Sequence, residues 1–181
     1  MENIYNRKYY QQTGSYPQIV SASGENIESF YGAKSLNISY KDKIVLDLGA
    51  SWGDASELFI HEGAKLVVAV DGDEIMFGGL LKTVELFKEK IIPIFLLIEN
   101  PEQIENLITT FKPNILKADI EGAEKHLFNI KNEIWKIPDE YLVETHEGYL
   151  GGNLDDLFYD KCKNNGYKIL AAGHTKYAKK E

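Results

Sequence analysis

Five side chains in two short stretches have the types and spacing to move a proton or grip a hydroxyl. Asp119, Glu121 and Glu124 lie in Leu116-Lys117-Ala118-Asp119-Ile120-Glu121-Gly122-Ala123-Glu124, and Glu144 and His146 lie in Leu142-Val143-Glu144-Thr145-His146. Each stretch opens on an apolar run that reads as a strand. The two-residue spacing of Glu144 and His146 turns both side chains to one face. Brought together, these groups raise one another's carboxyl pKa values and hold His146 protonated to higher pH. A hydroxyl that attacks carbon must lose its proton to a base. His146 is the first candidate for that base and Asp119 the second. Glu144 belongs to the same catalytic group, and Glu121, with Glu124, is placed to orient the acceptor's hydroxyls. No resident metal is expected. The alternative is a divalent cation on Asp119, Glu144 and His146, since two carboxylates and an imidazole suit Mg²⁺, Mn²⁺ or Fe²⁺. Glu121 and Glu124 also fall in an expected first helical turn, where acids favour the helix dipole whatever the function.

A second constellation lies upstream. Lys43-Ile44-Val45-Leu46-Asp47-Leu48-Gly49-Ala50-Ser51-Trp52-Gly53-Asp54 reads as a strand, a small-residue loop and the start of a helix, and a second strand ends in Asp71-Gly72. Glycines permit tight turns and close approach of a ligand. An acid after the second strand accepts ribose hydroxyls in nucleotide-binding folds. A dinucleotide site would carry Gly-x-Gly-x-x-Gly to cradle a pyrophosphate. Here Asp47-x-Gly49-x-x-x-Gly53 opens on a carboxylate, which repels pyrophosphate and attracts an ammonium. S-adenosylmethionine, which has a ribose, an ammonium, a sulfonium and no phosphate, fits better. Its expected contacts are Asp47, Gly49, Ala50, Ser51, Gly53, Asp71, Gly72, Asn100 and Asp119. Trp52 either covers this cofactor or packs.

These groups need a sheet to position them. From Lys43 onward the chain alternates strand and helix. The expected strands are Ile44–Leu48, Leu66–Val70, Ile91–Leu97, Asn114–Ala118, Tyr141–Thr145, Tyr167–Ala171 and Thr175–Ala178. Helices are expected over Asp54–His61, Asp73–Lys88, Pro101–Phe111, from Glu121, and over Leu154–Asn164. This is an α/β, Rossmann-like pattern: a seven-stranded, mostly parallel sheet with helices on both faces and the last strand antiparallel. Residues 1–40 form an N-terminal arm with six of the eleven tyrosines, either packed on the core or serving as a substrate lid, with a short helix over Asn26–Leu36. Residues 41–181 form the cofactor-binding domain.

The net charge is −8, and Arg7 is the only arginine among 20 basic residues. Phosphate backbones are usually gripped by arginine-rich positive patches, so no nucleic-acid partner is expected. No apolar run is long enough to span a bilayer, the first residues lack the apolar core of a signal peptide, and a cytoplasmic location is the default expectation. Cys162, the single cysteine, reads as a packing residue. His61 and His126 read as helix residues outside the chemistry, and His174, in the turn after the sixth strand, as a candidate substrate contact.

From Ile44 to Tyr167 the chain resembles the FkbM-type family of class I S-adenosylmethionine-dependent methyltransferases. Asp47 to Gly53, Leu116 to Glu124 and Leu142 to His146 carry the resemblance. It implies a seven-stranded methyltransferase fold and O-methylation of a hydroxyl on a small molecule or glycan. The family commonly has Glu-Pro where this chain has Asp71-Gly72, which keeps the acid. The Asp119-Ile120-Glu121-Gly122 stretch stands where nucleic-acid N-methyltransferases of this fold often carry Asn/Asp-Pro-Pro-aromatic. A non-catalytic S-adenosylmethionine-binding module is the alternative, and a NAD-dependent oxidoreductase a more distant one.

Overall fold

Seven apolar runs pair into one sheet: β1 Ile44–Leu48, β2 Leu66–Asp71, β3 Ile91–Phe95, β4 Ile115–Ala118, β5 Glu140–Glu144, β6 Tyr167–Ala172 and β7 Thr175–Lys180. The computed structural model describes residues 31, 36–146, 153–173 and 175–181. The strand order is β3-β2-β1-β4-β5-β7-β6. Neighbours from β3 to β5 run parallel, and β7 is antiparallel to both β5 and β6. This is the expected Rossmann-like, mostly parallel seven-stranded sheet. From β1 the chain builds outward to β2 and β3 on one side and to β4 and β5 on the other. The crevice beyond the carboxyl ends of β1 and β4 is therefore the topological switch point.

Among the described residues the helices are α1 Asp54–His61, α2 Glu74–Leu86, α3 Pro101–Phe111, α4 Glu124–Phe128, α5 Asn132–Trp135 and α6 Leu154–Asn164. None is long and apolar enough to cross a membrane. Their ends follow local chemistry. Asp73 caps α2, its side chain accepting from the Ile75 and Met76 N–H groups, so the helix starts one residue later than expected. Asn100 and Gln103 form a reciprocal capping box ahead of α3, with Pro101 in its first turn. The helix expected from Glu121 starts instead at Glu124, because Glu121 (φ 52°) and Gly122 (φ 95°) are left-handed and cannot continue a right-handed helix. The one-turn α5 was not expected, being too short to show a periodicity.

Strand alternation divides the interior in two. On one face Leu46, Leu48, Val68, Val70, Leu116, Tyr141 and Val143 pack against α3, α4, α5 and α6. On the other, Val45, Val67, Ala69, Ile115 and Leu142 pack against α1, Leu80 of α2, Tyr31 and Tyr40. The expected arm over residues 1–40, including most of the short helix expected over Asn26–Leu36, lies largely outside the described residues. Those of its residues that are described include Tyr31, Ile38 and Tyr40, all buried. Cys162 sits inside the first core, where burial pushes its thiol up to about 12, in keeping with a packing role.

Trp135 anchors that first core. Its ring stacks on Tyr141 at 4.1 Å between centroids and meets Phe128, Phe158 and Tyr167 at their edges or tilted. Removing a buried indole of this kind costs about 3–5 kcal/mol. We therefore expect Trp135→Ala to lower the unfolding free energy by about that much in urea titration, although the residue lies outside the candidate site.

Candidate active site

The glycine loop is shaped by backbone constraints. Gly49 has φ 74°, and a Cβ there would lie 1.7 Å from the Asp119 carbonyl oxygen, so no larger residue fits between the ends of β1 and β4. The N–H groups of Gly49 and Ala50 both donate to the Val70 carbonyl, and that of Gly53 to the Ala50 carbonyl. The Ser51 N–H donates to Asp71 Oδ2 at 2.7 Å, and the Asp73 N–H to Asp71 Oδ1 at 2.8 Å. Asp71 is thus fixed at the loop's edge. A carboxylate offers about four lone-pair positions, which leaves acceptor capacity toward the crevice.

Beneath the loop lies a buried ion pair. Asp47 and Lys117 are register partners on β1 and β4, and Lys117 Nζ sits 3.1 Å from Asp47 Oδ1. The ammonium also donates to the Gly49 carbonyl at 2.8 Å and lies 3.7 Å from Asp119 Oδ2. Ser56 Oγ donates to the second Asp47 oxygen at 2.6 Å. Burial works against the charge on Lys117, but Asp47 and Asp119 prevail and raise its pKa.

The second constellation converges as expected. His146 Nδ1 is 3.1 Å from Oε1 of Glu124, a fully buried carboxylate that also accepts from the Ile120 and Gly122 N–H groups. On the ring's other side, Nε2 faces Glu144 Oε1 at 3.5 Å, Asp119 Oδ1 at 3.6 Å and Glu121 Oε2 at 3.8 Å. Hydrogen bonds to Glu124 and Glu144 lift the imidazole to about 10 against the opposing effect of burial. Burial would raise Glu124, but its bonds from His146 and the backbone bring it down. Asp119 is raised, chiefly by burial and despite Lys117. Asp119, Glu144 and His146 each present one donor atom within 4.8 Å of the others, close enough to share a cation.

A cavity of about 780 Å³ joins the two constellations, within the range of small-molecule sites. Gly49, Ala50, Ser51, Asp71 and Gly72 line it at one end, and Asp119, Glu121, Glu144 and His146 at the other. Three expected contacts are corrected. Asp47 does not line the cavity, because it is fully buried and held by Lys117 and Ser56. Gly53 faces α2, where a Cβ would meet Leu80 and Thr83. Asn100 is used as the cap of α3, and Leu96, Leu97 and Ile98 supply that wall instead. Trp52 packs across Gly79 of α2. Neither His61 nor His126 lines the cavity, and His174 lies outside the described residues.

Lys117 and Tyr31 also line the cavity and had not been singled out from sequence. Lys117 reads as an exposed-type residue in an apolar strand, yet its pairing with an acid one strand away was available from the topology. Tyr31 belongs to the expected arm, and its hydroxyl lies 3.3 Å from both Asp119 Oδ2 and Glu144 Oε2.

No protein-family model matches this chain. Hemolysin A of Brachyspira hyodysenteriae is 26% identical over 171 residues, covering 85% of this chain and 66% of that protein, so the chain spans just under two thirds of that relative. Among solved structures, magnesium protoporphyrin IX methyltransferase from Synechocystis, with bound S-adenosylhomocysteine, superposes with a TM-score of 0.59 at 14% identity over 86% of this chain and 81% of its own. A Streptococcus pneumoniae protein described as a candidate tRNA methyltransferase, in complex with S-adenosyl-L-methionine, gives 0.56 at 17% identity over 80% and 69%.

Removing one partner of a buried ion pair strands the other charge, at about 3–5 kcal/mol. Lys117→Met should show that loss in urea titration, and adding Asp47→Asn should recover part of it. For His146 the folded value lies above the ordinary 6.5. Its stabilising contribution is therefore complete below about pH 6.5, declines as pH rises, and is gone above about 10. Unfolding free energies between pH 6 and 10.5 should fall more steeply in the wild type than in His146→Gln. The His146 ring should still be protonated at pH 8 by NMR. A ring already neutral at that pH contradicts this assignment.

Thus the chain carries the Rossmann-like fold of class I methyltransferases, with a cavity at the carboxyl ends of its central strands.

Proposed function

We propose that this protein is an S-adenosylmethionine-dependent methyltransferase that methylates a hydroxyl of a small molecule or glycan, as the FkbM-type resemblance implies. The observation that carries the reading is one cavity with Asp71 and the glycine loop at one end and Asp119, Glu144 and His146 at the other. The residues fit the cofactor: Asp71, fixed at the cavity's edge, keeps acceptor capacity for ribose hydroxyls, and Gly49 lets the loop close against the end of β4. The loop suits a ligand without phosphate, because the Gly49, Ala50, Ser51 and Gly53 N–H groups are already spent within the protein. A dinucleotide's pyrophosphate would need such donors. That disfavours the oxidoreductase alternative.

S-adenosylmethionine, when bound, supplies a methyl group made electrophilic by its sulfonium. The protein's work is to align the acceptor and take its proton. His146, protonated to about pH 10, is full near neutrality, which moves the base role to Asp119, the second candidate. The raised pKa of Asp119 makes it a better proton acceptor than an ordinary carboxylate. His146 instead offsets part of the negative charge of Glu121, Glu124 and Glu144 around it. Glu121 is exposed at the rim, suited to a neutral hydroxyl-bearing acceptor and unfavourable to a phosphate backbone.

Isothermal titration with S-adenosylhomocysteine tests the cofactor assignment. The wild type should bind, and Asp71→Ala should bind at least tenfold more weakly, about 1.4 kcal/mol. Absence of binding to the wild type would refute the methyltransferase reading.

A further inference from the structure

The Tyr31 hydroxyl occupies an unusual place. It lies 3.3 Å from one oxygen of Asp119 and 3.3 Å from one oxygen of Glu144, at the acidic end of the cavity. Its seat is built from several sides. The Tyr40 hydroxyl donates to the Tyr31 carbonyl at 2.5 Å and holds the backbone. Phe59 meets the ring edge-on at 6.3 Å, and the Lys117 ammonium stands 5.5 Å from its centroid. The residue is only 5% exposed, yet its ring forms part of the cavity wall. A hydroxyl on a flat ring is thus held against the two carboxylates that can take a proton.

We infer that the Tyr31 side chain stands in the acceptor's subsite, so that a substrate hydroxyl is methylated where the Tyr31 hydroxyl now lies, between Asp119 and Glu144. The inference rests on the methyltransferase reading and narrows it to hydroxyls carried on a planar ring, phenols above all. Such a ring uses the edge of Phe59 and the cation of Lys117 as Tyr31 does. On transfer the acceptor oxygen gains the methyl as the donor's carbon–sulfur bond breaks. The hydroxyl proton passes to the carboxylate of Asp119, and S-adenosylhomocysteine is left. Tyr31 itself is a poor nucleophile, since burial and the neighbouring carboxylates hold its proton on. Its side chain fills the subsite without being consumed.

The probe is 4-fluorophenol, with Tyr31→Ala opening a ring-sized space and Tyr31→Phe removing the hydroxyl alone. By fluorine NMR without cofactor, Tyr31→Ala should bind the probe at least tenfold more tightly than the wild type or Tyr31→Phe. Adding Glu144→Gln should weaken that binding several-fold. With S-adenosylmethionine, Tyr31→Ala should form 4-fluoroanisole at least tenfold faster than the wild type. Should Tyr31→Ala not fold by circular dichroism, Tyr31→Phe decides. There, water in place of the lost hydroxyl should take the methyl from S-adenosylmethionine as methanol, its proton passing to Asp119, and raise acceptor-free release of S-adenosylhomocysteine at least threefold. The inference is overturned if Tyr31→Ala binds S-adenosylhomocysteine and 4-fluorophenol but makes no 4-fluoroanisole. It is equally overturned if, with Tyr31→Phe deciding, that release is unchanged while S-adenosylhomocysteine binding persists. A wild type that does not bind S-adenosylhomocysteine instead removes the methyltransferase reading on which the inference rests.

Discussion

A single buried cation ties this site together. Lys117 Nζ lies between Asp47 on the neighbouring strand, the carbonyl of Gly49 in the loop and the carboxylate of Asp119 beyond its own strand. Taking an ammonium and a carboxylate out of water costs several kcal/mol per ion. That cost is recovered only where the partners are held in good geometry. The parallel register of β1 and β4 supplies the geometry, because it sets Asp47 directly opposite Lys117. The same register places the end of β1 beside Asp119, whose N–H donates to the Leu48 carbonyl. The glycine loop and the Asp119 carboxylate are thus fastened to the same charge.

The loop shows a second constraint, on backbone donors. A strand-to-helix loop that binds phosphate must leave its N–H groups pointing outward. Here the turn is tight enough that β2 captures two of them through the Val70 carbonyl and Asp71 captures a third. What the loop presents to the cavity is therefore shape and carboxylate. Positive φ at Gly49 and Ser51 follows from the same tightness. A loop organised in this way suits a sugar and a cation and gives little to a pyrophosphate.

Much of this fold was legible in the sequence, because strands buried on both faces must be apolar throughout. β1, α1 and α3 were read to the residue, and Pro101 marked the start of α3. What could not be read was chemistry decided by tertiary contact. Asp47 looked like a ligand group because an acid beside a glycine loop carries no mark of the lysine that neutralises it from another strand. Asn100 offered the same side chain to a ligand or to the Gln103 N–H, and the helix took it. The helix expected at Glu121 failed for a local reason, two successive left-handed residues, of which only Gly122 gives a hint in sequence. Asp119, Glu144 and His146 were read correctly as a group, since strand ends that neighbour in the sheet bring their side chains together.

The grouping fixes the charge at this end of the cavity. Three carboxylates face His146 Nε2, and a fourth, Glu124, holds Nδ1 from within the protein. An imidazole lone pair directed at three carboxylates is unfavourable, so a proton stays on that nitrogen well above neutrality. The histidine then behaves as a fixed positive charge. Its proton, shared among the surrounding acids, lets Glu121, Glu124 and Glu144 stay close without driving one another apart. Burial raises Asp119, with Lys117 opposing the rise. A protonated imidazole has no lone pair left to take another proton, so in this ring of acids any further proton goes to a carboxylate.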